Sequence, residues 1–211
     1  MEIHQEEMKI LDLFSKNIFA EFTLKQIMEK LGKKSYNWTY KAISKLSKNV
    51  LVSEKKGNTT VIKLNLNNPC AITYLSFLDR QEAYKRDIFL TNELIENISK
   101  KTPYFILIIT GSYATNYVKK DSDLDLVVIV DNENNKKEIS PYIKDVTRLS
   151  GINVDMHIFT KNEFYLMLTN DKENFGKEVF RKHLLFYGAE AYYQIIKEAI
   201  KNGLQRKILV S

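Results

Sequence analysis

The most constraining stretch of this chain lies in its second half, where the apolar run Phe105–Thr110 (FILIIT) ends at Gly111-Ser112. Eleven residues after Gly111 the chain reads Ser122-Asp123-Leu124-Asp125-Leu126 and continues into Val127-Val128-Ile129-Val130. Two short apolar runs of this kind, bounded by turn signals, predict buried strands. Strand side chains alternate faces, so Asp123 and Asp125 are expected to point one way and Leu124 and Leu126 into a core. Paired carboxylates opening an apolar strand are costly unless a positive charge compensates them, and a hard divalent cation is the usual compensation. Mg²⁺ (or Mn²⁺) suits such a site because it takes few carboxylates and completes its shell with water and phosphate oxygens. The Gly111-Ser112 turn can offer backbone N–H groups to a phosphate with no Cβ at Gly111 to intervene. A helical stretch, Lys136–Leu149, leads to a third predicted strand, Asn153–Thr160, which carries Asp155. Asp121 is expected to cap the turn, and His157 to be a neighbour of Asp155 rather than a ligand.

The string Gly111-Ser112-Tyr113-Ala114, followed by Asp121-Ser122-Asp123-Leu124-Asp125-Leu126, resembles the signature of the DNA polymerase β-like nucleotidyltransferases. Within them it is most similar to the minimal nucleotidyltransferases of archaea and bacteria. The resemblance covers roughly residues 101–165, with looser likeness in the tail. It implies transfer of a nucleoside monophosphate from an NTP such as ATP, with release of pyrophosphate, by two-metal in-line displacement. It also implies roles: Asp123 and Asp125 ligate both metals, Asp155 holds the catalytic metal and helps activate the acceptor hydroxyl, and Gly111 and Ser112 bind the NTP phosphates. One departure stands out. Minimal members commonly continue Gly-Ser-x-Ala with Arg-Gly, whereas this chain has Thr115-Asn116, so Lys119 or Lys120 is the candidate replacement cation. Such members often belong to toxin–antitoxin pairs, which makes a partner toxin one acceptor that the resemblance implies.

The N-terminal part reads differently. Met8, Leu11 and Phe14 recur at helical spacing, and Thr23 with Gln26 forms a capping box ahead of Leu24, Ile27, Met28 and Leu31, with Gly32 at the helix end. Ser35 can cap a third helix whose Tyr36, Tyr40, Ile43 and Leu46/Ser47 form one side. The period then changes to that of strands in 49–54 and 59–67, joined by Lys56-Gly57-Asn58, which predicts a β-hairpin. Three short helices followed by a lysine-tipped hairpin resemble a winged helix-turn-helix. Residues 25–63 hold ten lysines against Glu29 and Glu54, a local excess of +8 within a net charge of +6. A basic patch suits a polyanion. If the module binds DNA, Ser35, Asn37, Trp38 and Lys41 are the candidate groove residues, and Lys55 and Lys56 would neutralise phosphates. A protein-interaction or dimerisation role stays open beside this, as does a core role for Trp38.

From Pro69 to Lys100 the chain predicts one long or two consecutive amphipathic helices, a spacer or a homodimer seam. The tail from Lys161 is expected to be mostly helical and to cover the sheet, with Tyr187, Tyr192 and Tyr193 read as core rather than as base-stacking residues. With 211 residues, 44% hydrophobic and 27% charged, and only 7 Gly and 3 Pro, disordered and low-complexity classes are excluded. The lone Cys70 excludes an internal disulfide and a cysteine-rich zinc site, and no apolar run reaches the roughly 18–20 residues of a membrane span. The stretch 1–16 mixes acids with apolar residues, unlike a signal peptide, so a cytoplasmic protein is expected. The expected fold class is α+β: a winged helix over 1–68, a helical connector over 69–100, and a nucleotidyltransferase-fold mixed sheet with flanking helices over 101–211. The functional expectation is a metal-dependent nucleotidyltransferase acting on a protein or nucleic-acid hydroxyl. The alternative is a DNA-binding transcriptional regulator or antitoxin whose nucleotidyltransferase domain senses nucleotide or binds a partner.

Overall fold

In the computed structural model, residues 3–115 and 122–204 are described. The chain divides into two compact units, Met1–Leu78 and Asp79–Ser211.

The first unit begins with α1 (Gln5–Ser15), α2 (Leu24–Lys30) and α3 (Tyr36–Leu46), and continues into the antiparallel hairpin β1 (Leu51–Lys56) and β2 (Thr59–Leu64). The helix boundaries follow from local chemistry. Thr23 and Gln26 cap α2 reciprocally, each side chain meeting the other's backbone N–H. Its far end closes through Gly32 at φ +62°, where Gly32 N–H donates to Glu29 O and Lys33 N–H to Met28 O, a paired closure that requires a left-handed residue. Ser35 Oγ accepts the Trp38 N–H and starts α3. Thr39, Ala42, Ile43 and Leu46 form the buried side of α3 and join Ile10, Leu11, Phe14, Ile27, Leu51 and Ile62 in the core. Phe22 bridges Ile62, so a short extended piece ahead of α2 lines the hairpin as a third strand-like element.

One expectation about α3 changes. Tyr36 and Tyr40, expected on one side with Ile43 and Leu46/Ser47, are 63% and 55% exposed and stack on each other with ring centroids 6.4 Å apart. The core stripe of α3 runs one position earlier, through Thr39 and Ala42 as well as Ile43 and Leu46.

The stretch 69–100 forms two helices, α4 (Pro69–Tyr84) and α5 (Leu90–Ser99). Between them Asp87 takes φ +46°, a left-handed conformation that no helix can propagate. The second unit is built on a four-stranded mixed sheet in the order β5-β4-β3-β6. Its strands are β3 (Phe105–Thr110), β4 (Leu124–Val130), β5 (Val154–Thr160) and β6 (Leu184–Tyr187), with the short α6 (Gly111–Ala114) after β3 and α7 (Glu133–Leu149) crossing from β4 to β5. Strand β4 runs parallel to β5 and antiparallel to β3. Two successive helices, α8 (Lys161–Thr169) and α9 (Phe175–Arg181), precede β6, and α10 (Ala189–Lys201) follows it.

Alternation along β4 sends Leu124, Leu126, Val128 and Val130 into one core with Leu94 and Ile98 of α5 and Ile139 and Ile143 of α7. Val127 and Ile129 are equally buried on the opposite face, where α8 and α10 lie against the sheet. With helices on both faces, β3 and β4 are apolar almost throughout. The tail is mostly helical, as expected, except that Leu184–Tyr187 form an edge strand antiparallel to β3. Tyr192 and Tyr193 are buried, in agreement with their reading as core, and Tyr193 Oη donates to Asp79. Among the described residues, no helix is long and apolar enough to cross a membrane.

Candidate active site

Strand pairing brings the separated acids together. Asp125, the second residue of β4, is the register partner of Asp155 on β5 and of Thr110 on β3. Immediately after Thr110, Gly111 adopts φ +65°. A Cβ at Gly111 would overlap the Asp125 carboxylate and stand 2.8 Å from its Cγ, so the turn closes against that carboxylate only because residue 111 is glycine. Ser112 follows in α6, and its carbonyl accepts both the N–H and the Oγ1–H of Thr115. Thr115 is therefore used to close the local turn.

The electrostatics identify the tension in this arrangement. Burial pushes the Asp125 carboxyl above its ordinary range, the charge of Asp155 pushes it further, His157 pulls it back, and Glu178 and Asp123 raise it again. Asp155 is exposed, and its Oδ2 lies 3.3 Å from Nε2 of His157. The His157 ring packs 4.5 Å from Phe175 of α9, and Glu178 lies one turn further along that helix. His157 is thus a neighbour of Asp155, as its place on the strand suggested. Asp123 stands exposed just ahead of β4.

Whether these residues suit a divalent cation follows from their chemistry. Mutually repelling carboxylates on adjoining strands, one of them partly buried, form a donor set that a hard cation stabilises. Among the described residues, however, no three or more His, Cys, Asp and Glu side chains gather closely enough to make a protein cage. Asp125 and Asp155 are the pair that the sheet brings together. That pattern suits Mg²⁺, which takes one or two carboxylates and draws its remaining ligands from water and substrate phosphates. Lys119 and Lys120, the candidate phosphate cations, lie outside the described residues, as do Asn116 and Asp121.

Residues 91–183 match the family model of the nucleotidyltransferase domain. This stretch is therefore similar to a nucleotidyltransferase domain. The match begins in α5, runs through the Gly111 turn, Asp123, Asp125 and Asp155, and ends just before β6. No curated protein matches the chain. A solved structure described as the crystal structure of the toxin-antitoxin with AMP-PNP aligns with 52% of this chain and 83% of that chain, at 15% identity and a TM-score of 0.35.

Two features of this candidate site carry no short-range sequence signal. Glu178 bears on Asp125 from α9, and Thr110 Oγ1 donates to the Lys182 carbonyl at 2.6 Å across 72 positions of chain.

The basic face of the first unit is smaller than its lysine count. Lys33 pairs with Glu6 at 2.6 Å, Lys45 with Glu7 at 2.8 Å and Lys56 with Glu21 at 2.6 Å, all acids from outside the lysine-rich window, while Lys63 pairs with Glu54. Lys33 and Lys9 hold the Glu6 carboxyl down to about 2. Of the expected groove residues, Asn37 and Lys41 are exposed on α3, Ser35 is exposed with its hydroxyl used as a cap, and Trp38 is half-buried under the Lys33 ammonium at 4.7 Å. On the hairpin, Lys55 makes no ion pair among the described residues, whereas Lys56 is committed to Glu21. The sequence reading missed the stacked Tyr36 and Tyr40, which share the exposed side of α3 with Asn37 and Lys41.

Proposed function

We propose that this chain transfers a nucleoside monophosphate from an NTP to a hydroxyl of a protein or nucleic acid, with Asp123, Asp125 and Asp155 as the metal-binding carboxylates. The observation that carries the reading is the junction of Asp125, Asp155 and the Gly111 turn at one end of the sheet, within the nucleotidyltransferase domain. Gly111 and Ser112 would receive the NTP phosphates on their backbone N–H groups. Asp155, exposed and next to His157, would meet the acceptor hydroxyl. Bound Mg²⁺ or Mn²⁺ would supply neutralisation of the phosphate charge and activation of the attacking oxygen. A partner toxin is one protein acceptor compatible with this chemistry.

The test is thermal stabilisation by ATP, GTP, CTP and UTP, each with and without Mg²⁺ or Mn²⁺, in wild type and in the double variant Asp123→Asn/Asp125→Asn. A ligand at 100 times its dissociation constant adds about 2.7 kcal/mol. A metal-dependent shift that the double variant loses is the expected result. No shift with any NTP overturns the reading.

The exposed side of α3 favours a second, compatible role. The three helices and hairpin of the first unit would act as a winged helix that directs the domain to DNA, with Asn37, Lys41 and Lys55 as contacts. If DNA binding is the chain's main task and the nucleotidyltransferase domain only senses nucleotide or binds a partner, the double variant keeps full DNA affinity and no acceptor is labelled.

A further inference from the structure

The end of β3 is held from both sides, by two different kinds of bond. On one side Thr110 is in ladder register with Asp125. On the other, pairing between β3 and β6 ends one residue earlier, at Ile109 opposite Leu184. Past that point the Thr110 side chain takes over, with Oγ1 donating to the Lys182 carbonyl at 2.6 Å. Thr110 is 2% exposed, so water does not substitute freely for this bond. Thr110 also occupies the N-cap position of α6, where a threonine hydroxyl commonly accepts a helix N–H, yet it makes no such bond here. The hydroxyl is committed to Lys182 instead, which leaves the amides of the following turn to other partners.

We propose that Thr110 is a positioning residue of the nucleotide site. Its clasp on Lys182 sets the direction in which the chain leaves β3, and so fixes Gly111-Ser112 against the Asp125 carboxylate. The clasp also joins this turn to the end of α9, because Lys182 N–H donates to Glu178 O and Glu178 is one of the charges acting on Asp125. Phosphate-binding amides and metal-binding carboxylates are thereby held in one frame, where displacements of about 1 Å are enough to cost large factors in binding or rate. The inference rests on the nucleotidyl-transfer reading of the same site.

The test uses the full chain and compares Thr110→Val, which keeps the shape and removes the donor, with Thr110→Ser, which keeps the donor. NTP dissociation constants with MgCl₂ are measured for ATP, GTP, CTP and UTP well below the unfolding temperature, and ligand-free unfolding is measured alongside. Thr110→Val is expected to weaken the preferred NTP by about tenfold, the loss of one buried hydrogen bond expressed in binding. Thr110→Ser is expected to stay within about threefold of wild type. A Thr110→Val protein that is less stable yet binds NTP as tightly as wild type overturns the proposal and leaves the nucleotidyl-transfer reading standing. Wild type that binds none of the four NTPs overturns both. If Thr110→Val does not fold, Thr110→Ala is read by the same two criteria.

Discussion

The first unit and the carboxylate end of the second unit's sheet handle charge in opposite ways. In the first unit, acids distant in sequence fold back onto lysines: Glu6 and Glu7 of α1 reach Lys33 and Lys45, and Glu21 reaches Lys56. At that end of the sheet, burial and the charges of Asp155, Glu178 and Asp123 all push the Asp125 carboxyl up, and His157 supplies the opposing influence. A chain able to neutralise Glu7 with a lysine 38 positions away is able to neutralise Asp125, and the sheet instead sets a second carboxylate beside it. Charge that is satisfied internally serves the fold. Charge left in repulsion calls for compensation from outside, which is the argument for the proposed cation and its anionic substrate at this site.

Gly111→Ala is the substitution expected to do most damage. It combines a left-handed backbone, costing roughly 1–2 kcal/mol for a residue with a Cβ, with a direct overlap between that Cβ and the Asp125 carboxylate. Metal-dependent stabilisation by NTP should vanish, and ligand-free unfolding by urea should shift to lower concentration. A Gly111→Ala protein that binds NTP normally would show that the turn does not meet the carboxylates.

The contrast is sharpened by two neutralising variants that should move stability in opposite directions. Burial alone would push the Glu7 carboxyl up, but Lys45 and the His4 backbone N–H outweigh it and hold it below 4.5. A lowered carboxyl contributes stability above its unfolded value that is lost as pH falls through the folded one. Glu7→Gln should therefore cost about 1–3 kcal/mol at neutral pH, and the gap from wild type should close as the pH falls through the acid range below 4.5. Asp125→Asn removes a charge that burial and Asp155 oppose, so in metal-free buffer at pH 7 it should raise stability, by about 1 kcal/mol. Equal signs for the two variants in urea denaturation would break the comparison.

How far the sequence foretold these arrangements depended on the range of the interaction. Thr23 with Gln26, Gly32, the Gly57-Asn58 turn and the apolar run Phe105–Thr110 act within a few residues, and each element appears where its signal stands. Asp125 and Asp155 were legible as candidates because strand alternation and a family resemblance pointed to the same residues. Tyr36 and Tyr40 were grouped with Ile43 because aromatic residues at helical spacing satisfy the same pattern as a core stripe, and only tertiary packing decides which stripe is covered. β6 was missed because four residues are too few to display a period between two helices. The Thr110–Lys182 bond, the approach of Glu178 and the lysine–glutamate pairs join positions far apart in sequence, where spacing carries no information.

The smallest expected effect discriminates between lysines that one-dimensional counting treats alike. Lys41 and Lys55 make no ion pair among the described residues, whereas Lys45 is occupied by Glu7 and Lys56 by Glu21. If the first unit binds duplex DNA, only the unengaged lysines release counterions fully. Lys41→Ala with Lys55→Ala should then lower the slope of log affinity against log salt by about 2 while leaving the unfolding midpoint unchanged. Lys45→Ala should do the reverse, leaving the slope within error and lowering stability, because it strands a carboxylate that is largely buried. Fluorescence anisotropy with a duplex across 50–200 mM salt reads the first quantity, and urea denaturation reads the second. If all of these variants lower the salt slope equally, the ion pairs open on binding, and the basic face of the first unit extends over the whole lysine-rich window.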